Sequence, residues 1–125
     1  MKLKTREVYG AVIVDMEGQL VGGGNSETFR EFIDGLLEQQ KKRIIVNLHK
    51  VPWANSQGVG MLIGAHKIVK EAGGELVLAN VTDKIHSILS VTRLCIVFST
   101  FGSVNDAVTC LREQEYAPET EQILL

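Results

Sequence analysis

Short apolar runs alternate with helix-patterned segments along most of this chain, and this alternation restricts its fold more than any other feature. The runs RIIVNL at 43–48 and ELVLA at 75–79 are almost wholly apolar, which is typical of strands buried on both faces. Around them, apolar residues recur at three- and four-residue spacing, as on helices that cover a sheet. The pattern predicts the α/β class, with a mostly parallel sheet and right-handed crossovers.

Local signals predict about five strands and about four helices. The segment REVYGAVIVDMEGQL at 6–20 mixes β-branched residues with punctuating glycines, and it predicts an N-terminal antiparallel strand pair. The predicted elements that follow are a helix capped by Asn25 or Ser26 and ending near Lys41, the strand at 43–48, a helix from about Gln57 to Ala72 stopped by Gly73-Gly74, the strand at 75–79, a helix capped by Thr82, a strand at 95–98, and a helix capped by Ser103.

Composition and charge narrow the possible partners. The chain has 125 residues, 45% hydrophobic and 22% charged, which suits one globular domain, and we place it at 1–113. The acidic residues 114–125 predict a mobile tail. A net charge of −2 with mixed signs offers no basic stripe to nucleic acid, and no apolar run is long enough to span a membrane. We therefore expect a cytoplasmic protein, a monomer or weak dimer.

The stretch PWANSQGVGML at 52–62 places a serine at the glycine-rich start of an apolar helix. One interpretation is dinucleotide binding, because Gly58, Gly60 and Gly64 imitate the glycine run of that motif. However, the preceding strand ends several residues too early for a tight phosphate turn. Asn80 also stands where an acidic residue would hold the ribose, so no cofactor is predicted.

A second interpretation is a hydrolase, because Ser56, Asp83 and His86 follow in the order of a nucleophile-elbow triad. The serine is too far from the preceding strand for such an elbow, and Asp83 and His86 share one predicted helix.

A third, purely structural interpretation is that Asn55 caps the helix while the glycines allow close packing. The three histidines have no partner at ligand spacing, so no metal site is predicted.

The segment VNLHKVPWANSQGVGMLIGAHKIVKEAGGELVLANV at 46–81 resembles the centre of the STAS-domain anti-sigma factor antagonists. Their motif is an apolar strand, a short loop, Asp-Ser-Ser/Thr-Gly-Leu-Gly, and a helix that ends in Gly-Gly before another strand. The likeness extends back to VDMEGQL at 14–20, which is similar to a Gly-Glu-Leu-Asp signature, and forward to SVNDAVTCL at 103–111. It covers nearly the whole predicted domain.

This resemblance implies a STAS-like fold and a non-enzymatic regulator of transcription by partner switching. Its partner would be an anti-sigma factor, an ATP-dependent serine kinase, and a phosphatase would reset it. Ser56 corresponds to the phospho-acceptor of the family. The residues expected to contact the partner surround it, and they are Trp53, Asn55, Gln57, Gly58 and Val59.

The chain departs from the family motif at three positions. Asn55 replaces the aspartate, Gln57 replaces the second hydroxyl residue, and Val21, followed by Gly22-Gly23-Gly24, replaces the upstream aspartate. The loss of carboxylates weakens recognition by a kinase that relies on them, whereas the lower negative charge makes a phosphate easier to accommodate, and the sequence favours neither outcome. A second hypothesis is therefore an unphosphorylated STAS scaffold in another regulatory or transporter-linked complex.

Overall fold

A mixed five-stranded sheet forms the centre of the protein. The computed structural model describes residues 1–8, 10–91 and 99–111. In chain order the elements are β1 (Lys2–Val8), β2 (Ala11–Glu17), α1 (Gly24–Glu38), β3 (Arg43–Lys50), α2 (Ser56–Glu71), β4 (Glu75–Ala79), α3 (Asp83–Val91), β5 (Thr100–Phe101) and α4 (104–111).

The strands lie side by side in the order β1-β2-β3-β4-β5. Only the β1–β2 pair in this sheet is antiparallel, and β2 to β5 run parallel. The predicted α/β class, antiparallel first pair and mostly parallel sheet are therefore confirmed. The strand predicted at 95–98 lies outside the described residues, and the described β5 begins at Thr100.

The two faces of the sheet carry separate apolar cores because side chains alternate along each strand. On the first face, Val14, Val46 and Leu78 pack with α1, α2 and α3 in the larger core. On the second face, Ile13 and Val77 pack with α4 in a smaller core. The central strands are thus buried on both faces, as their apolar sequences predicted.

The ends of α1 and α2 have a common geometry. Each helix is closed by a residue with positive φ, Gln40 at 61° and Gly73 at 83°. The following N–H groups reach back, from Lys41 to Leu36 O at 2.9 Å and from Gly74 to Val69 O at 2.9 Å. These are Schellman closures, and for α2 the predicted Gly-Gly stop is confirmed.

The start of α1 differs from the prediction. Its N-cap is Gly23, with φ of 76°, and no side chain caps the helix, so the expectation of Asn25 or Ser26 as the cap is wrong. The glycine run lets the chain turn into the helix before either residue is reached. In contrast, Ser103 Oγ accepts the Asp106 N–H at 3.1 Å at the start of α4, as predicted.

Residues 114–125, predicted to form a mobile tail, lie outside the described residues. Within the described part of the chain, no helix is long and apolar enough to cross a membrane.

Candidate functional site

Two loops meet at the carboxyl ends of β2 and β3. Leu20, after β2, forms a parallel bridge with Ala54, after β3. The Leu20 N–H donates to Trp53 O at 2.9 Å, and Leu20 O accepts the Asn55 N–H at 3.1 Å. Both Leu20 and Ala54 are buried. The loop before α2 is therefore held by its neighbour, although no regular strand continues there.

Close contact between these loops requires glycine at two positions. A Cβ on Gly58 would lie 1.9 Å from Leu20 O, and a Cβ on Gly22 would lie 2.7 Å from Gln57 Cβ. Non-bonded contacts of a Cβ atom are essentially never this short, so any side chain at either position would push the loops apart. Gly22 and Gly58 thus fix the β2–α1 loop against the first turn of α2.

Asn55 is the N-cap of α2, as the sequence predicted. Its backbone is extended, with φ of −114° and ψ of 176°, and its Oδ1 accepts the Gly58 N–H at 2.8 Å. The Val59 N–H then makes the first helical bond, to Asn55 O at 3.0 Å. The amide oxygen of Asn55 thus caps the helix at the position where the family motif has aspartate.

Ser56 is the first residue of α2, and its side chain is exposed. Among the described residues, no acceptor bonds the N–H groups of Ser56 and Gln57, and no partner bonds the Ser56 hydroxyl. The first turn of α2 contains no acidic residue. A free hydroxyl thus lies beside two free N–H groups, at the positive end of a helix dipole.

The predicted contact residues divide into exposed and buried groups. Trp53 is 42% exposed, Gln57 is exposed and Asn55 is half-buried, so all three adjoin Ser56 on the surface. Gly58 is buried and Val59 is 0% exposed within the larger core. Gly58 and the side chain of Val59 therefore do not contribute to the exposed surface. They hold the first turn of α2 against the sheet.

The structure does not bring together the residues of the hydrolase triad or of the dinucleotide-binding motif that the sequence suggested. Asp83 and His86 lie on α3, and within the described ranges neither makes a hydrogen bond or ion pair with Ser56. Gly60 and Gly64 lie in the middle of α2 rather than in a phosphate-binding turn. The described residues also contain no group of three or more His, Cys, Asp or Glu that could hold a metal.

A chain of hydrogen-bonded polar side chains crosses the second face of the sheet, and no sequence motif predicts it. Arg6 Nε donates to Asp15 Oδ2 at 2.6 Å, and Asn47 Nδ2 donates to Asp15 Oδ1 at 2.8 Å. Asn80 Nδ2 then donates to Asn47 Oδ1 at 2.9 Å. The signals in the sequence were two polar residues that interrupt apolar runs, Asp15 in β2 and Asn47 in β3.

These hydrogen bonds shift the pKa values of Asp15 and Arg6. Partial burial acts to raise the pKa of Asp15, but hydrogen bonds from Arg6 and Asn47, with the charges of Arg6 and Lys50, outweigh it and lower that pKa overall. The bond to Asp15 raises the pKa of Arg6. The carboxylate is thus kept ionised as a link between β1, β2 and β3.

The fold and the site together define a small α/β domain with an exposed hydroxyl at a capped helix start. The STAS domain profile matches residues 2–107. The chain therefore belongs to the STAS domain family, as its sequence motifs predicted.

Several named proteins and solved structures are similar to this chain. The anti-sigma F factor antagonist of Paenibacillus polymyxa is 22% identical over 100 residues, which cover 80% of this chain and 86% of that protein. The phosphorylated form of the Bacillus cell fate determinant SpoIIAA has a TM-score of 0.67 and 19% identity, covering 88% of this chain and 99% of that one. A sulfate transporter family protein from Wolinella succinogenes has a TM-score of 0.73 and 18% identity, covering 84% and 87%.

Proposed function

We propose that this protein is an anti-sigma factor antagonist: it binds an anti-sigma factor and so releases a sigma factor for transcription. The observation that carries the proposal is the exposed Ser56 hydroxyl at the capped start of α2, in a chain whose STAS match covers residues 2–107. The similarity to the Paenibacillus polymyxa antagonist supports the same assignment. The protein acts by binding and carries out no reaction of its own.

Ser56 is the phospho-acceptor in this proposal, and the anti-sigma factor is the serine kinase that modifies it. An added phosphate would carry about −1.5 to −2 charges near neutral pH. It would meet the free N–H groups of Ser56 and Gln57 and the positive end of the α2 dipole. The phosphate is therefore accommodated without unfolding the helix.

Phosphorylation would block partner binding by charge and bulk rather than by a change of fold. The exposed or half-buried residues next to Ser56 along the chain, Trp53, Asn55 and Gln57, carry no charge, and Gly22 lies against Gln57. A partner surface that matches this neutral patch would have to desolvate the new charge, which costs binding energy. A phosphatase that removes the group would restore binding.

The first experiment is to incubate the protein with Mg-ATP and each anti-sigma-type kinase of its source organism, and to measure intact mass. We expect a gain of one phosphate in wild type and none in Ser56→Ala. Ser26→Ala is the matched control, because Ser26 is also an exposed serine in the first turn of a helix. This variant should be phosphorylated like wild type.

Binding to the same kinases is followed by the fluorescence of Trp53, the chain's single tryptophan, which is 42% exposed beside the site. We expect binding by the unmodified protein and at least about tenfold weaker binding after phosphorylation, equivalent to about 1.4 kcal/mol. Phosphorylation of Ser26 in place of Ser56, or equal binding before and after modification, would contradict the switch.

The second candidate function is an unphosphorylated STAS scaffold. It is favoured by one observation, the replacement of motif residues by the uncharged Asn55 and Gln57 at the start of α2. Binding to an anti-sigma factor or to another complex with no mass gain under any kinase would support it. Restoring the motif aspartate with Asn55→Asp would then test whether the missing carboxylate is the reason that Ser56 is not phosphorylated.

A further inference from the structure

The outer edge of β1 is a surface distinct from the Ser56 site. β1 is the terminal strand of the sheet, and it pairs with β2 on one side only. No described strand pairs with its other side. Four of its seven residues, from Lys4 to Glu7, are exposed in sequence, and Lys2 is exposed as well. Half of the main-chain N–H and C=O groups of such an edge point outward and can bond an added strand.

Positive side chains project from this edge on one face of the sheet. Lys2, Lys4 and Arg6 occupy alternate positions of β1, so they share the second face, the face that carries α4. Arg6 is engaged by Asp15. Within the described ranges, no carboxylate forms an ion pair with Lys2 or Lys4. Two lysines therefore offer unpaired charge next to an open strand edge.

A groove of about 220 Å³ continues this charged surface across the sheet. Lys2, Lys4, His49 and Lys50 line it, together with Asp15 and Glu17. The Asp15 carboxylate is held by Arg6 and Asn47, which leaves Glu17 as the lining carboxylate not engaged in that network. Lys2, Lys4 and Lys50 outnumber it, so the groove favours groups of negative charge.

We infer that this edge binds an extended, acidic peptide segment of a partner protein, which pairs with β1 as an added strand and sets its carboxylates over Lys2 and Lys4. The main chain of the peptide would supply affinity and its alternate side chains would supply specificity. Pairing with an open strand edge requires the N–H and C=O groups of a peptide main chain, which nucleic acid lacks, so nucleic acid fits this surface less well.

A second copy of the chain also fits poorly. If two β1 strands paired antiparallel about Thr5, Lys4 of one copy would lie opposite Arg6 of the other. Like charges directly opposite each other destabilise a strand pair. Lysines on an edge strand can also serve only to prevent aggregation, and in that case the edge would bind no peptide at all.

The test is a titration of the full chain, labelled with nitrogen-15, with three synthetic peptides followed by amide chemical shifts. The first alternates glutamate with valine or threonine, the second replaces each glutamate by lysine, and the third keeps the glutamates but has proline at the positions that must donate to β1. We expect shifts confined to β1 and the groove with the first peptide, and at least tenfold weaker binding of the other two.

Variants test whether Lys2 and Lys4 bind the carboxylates of the peptide. The double substitution Lys2→Gln with Lys4→Gln removes both unpaired lysines and should weaken binding of the first peptide about tenfold. Lys67→Gln is the matched control, because Lys67 is an exposed lysine on α2. It should bind the peptide like wild type. Thermal melting of each variant is measured to check that all of them are folded.

Several results would overturn this inference. They are absence of binding at about 1 mM peptide, equal binding of the lysine peptide, or shifts centred elsewhere. Binding that is unchanged in the Lys2→Gln, Lys4→Gln variant would also contradict it. Phosphorylation of Ser56 is measured separately, so each proposal can fail without the other.

Discussion

The contact between Gly58 and Leu20 can be tested by a single added methyl group. In Gly58→Ala, the new Cβ would lie 1.9 Å from Leu20 O and 2.9 Å from Val21 N. Both are backbone atoms held by the bridge to Ala54, so no flexible side chain can move aside. The β2–α1 loop or the first turn of α2 must therefore shift.

Three contributions set the size of the effect. Overpacking costs about 1–3 kcal/mol. Loss of the 3.1 Å bond from the Asn55 N–H to Leu20 O adds about 0.5–1.5 kcal/mol. Replacing a helical glycine by alanine returns up to about 1 kcal/mol. Because the clash is with backbone, we expect a net decrease of about 2–3 kcal/mol in the free energy of unfolding.

The assay is urea denaturation followed by circular dichroism. With an m-value of about 1.5 kcal/mol per molar urea, the midpoint should fall by about 1–2 M. Gly60→Ala is the matched control, since it lies in the same helix and its added Cβ would meet nothing within 4 Å. Its midpoint should rise slightly. A Gly58→Ala midpoint at or above that of Gly60→Ala would refute the argument.

Two further predictions concern the cap and the polar chain. Asn55→Ala removes the acceptor that bonds the Gly58 N–H at 2.8 Å, and it should lower the free energy of unfolding by about 1 kcal/mol in the same urea assay. Asn55→Asp keeps a cap acceptor and should be as stable as wild type. Equal stability of wild type and both variants would contradict the role of Asn55 as the cap. For Asp15, the lowered pKa means that its stabilising contribution is present above the ordinary value of 3.8 and is lost as pH falls through the lower folded pKa. Asp15→Asn should therefore lower the free energy of unfolding at neutral pH by about 0.5–1 kcal/mol, because the ion pair is part-exposed. Thermal melting at several pH values should show the difference from wild type shrinking as pH falls through the lowered pKa of Asp15, and a difference that grows in acid would contradict this reasoning.

The parts predicted correctly from the sequence are those that depend on nearby residues. The period of apolar residues identified α1, α2 and the buried strands, because burial on one face of a helix or both faces of a strand leaves a local pattern. The cap at Asn55 and the closure at Gly73 followed from side-chain and backbone preferences that operate within a few residues. The STAS family followed from motifs built on these same elements.

The candidate site was predicted only in part. Ser56 and Gln57 were placed correctly at the start of a helix, since both are fixed by the cap. The burial of Gly58 and Val59 was missed, because it depends on how far α2 is pressed against the sheet and not on their identity. The cap of α1 was also wrong, because the path of the loop brings the chain into the helix at Gly24.

The sequence by itself therefore determined the class of fold, the family and the capped serine, all of which are encoded by short-range patterns. Only the tertiary structure decided that Leu20 pairs with Ala54 in the loop before α2. It also decided that the side chains of Arg6, Asp15, Asn47 and Asn80 form one connected series of hydrogen bonds. Apart from the Arg6–Asp15 pair, these contacts link segments more than thirty residues apart in sequence. Their partners are chosen by strand order and register, which are set when the whole sheet and its two cores pack together.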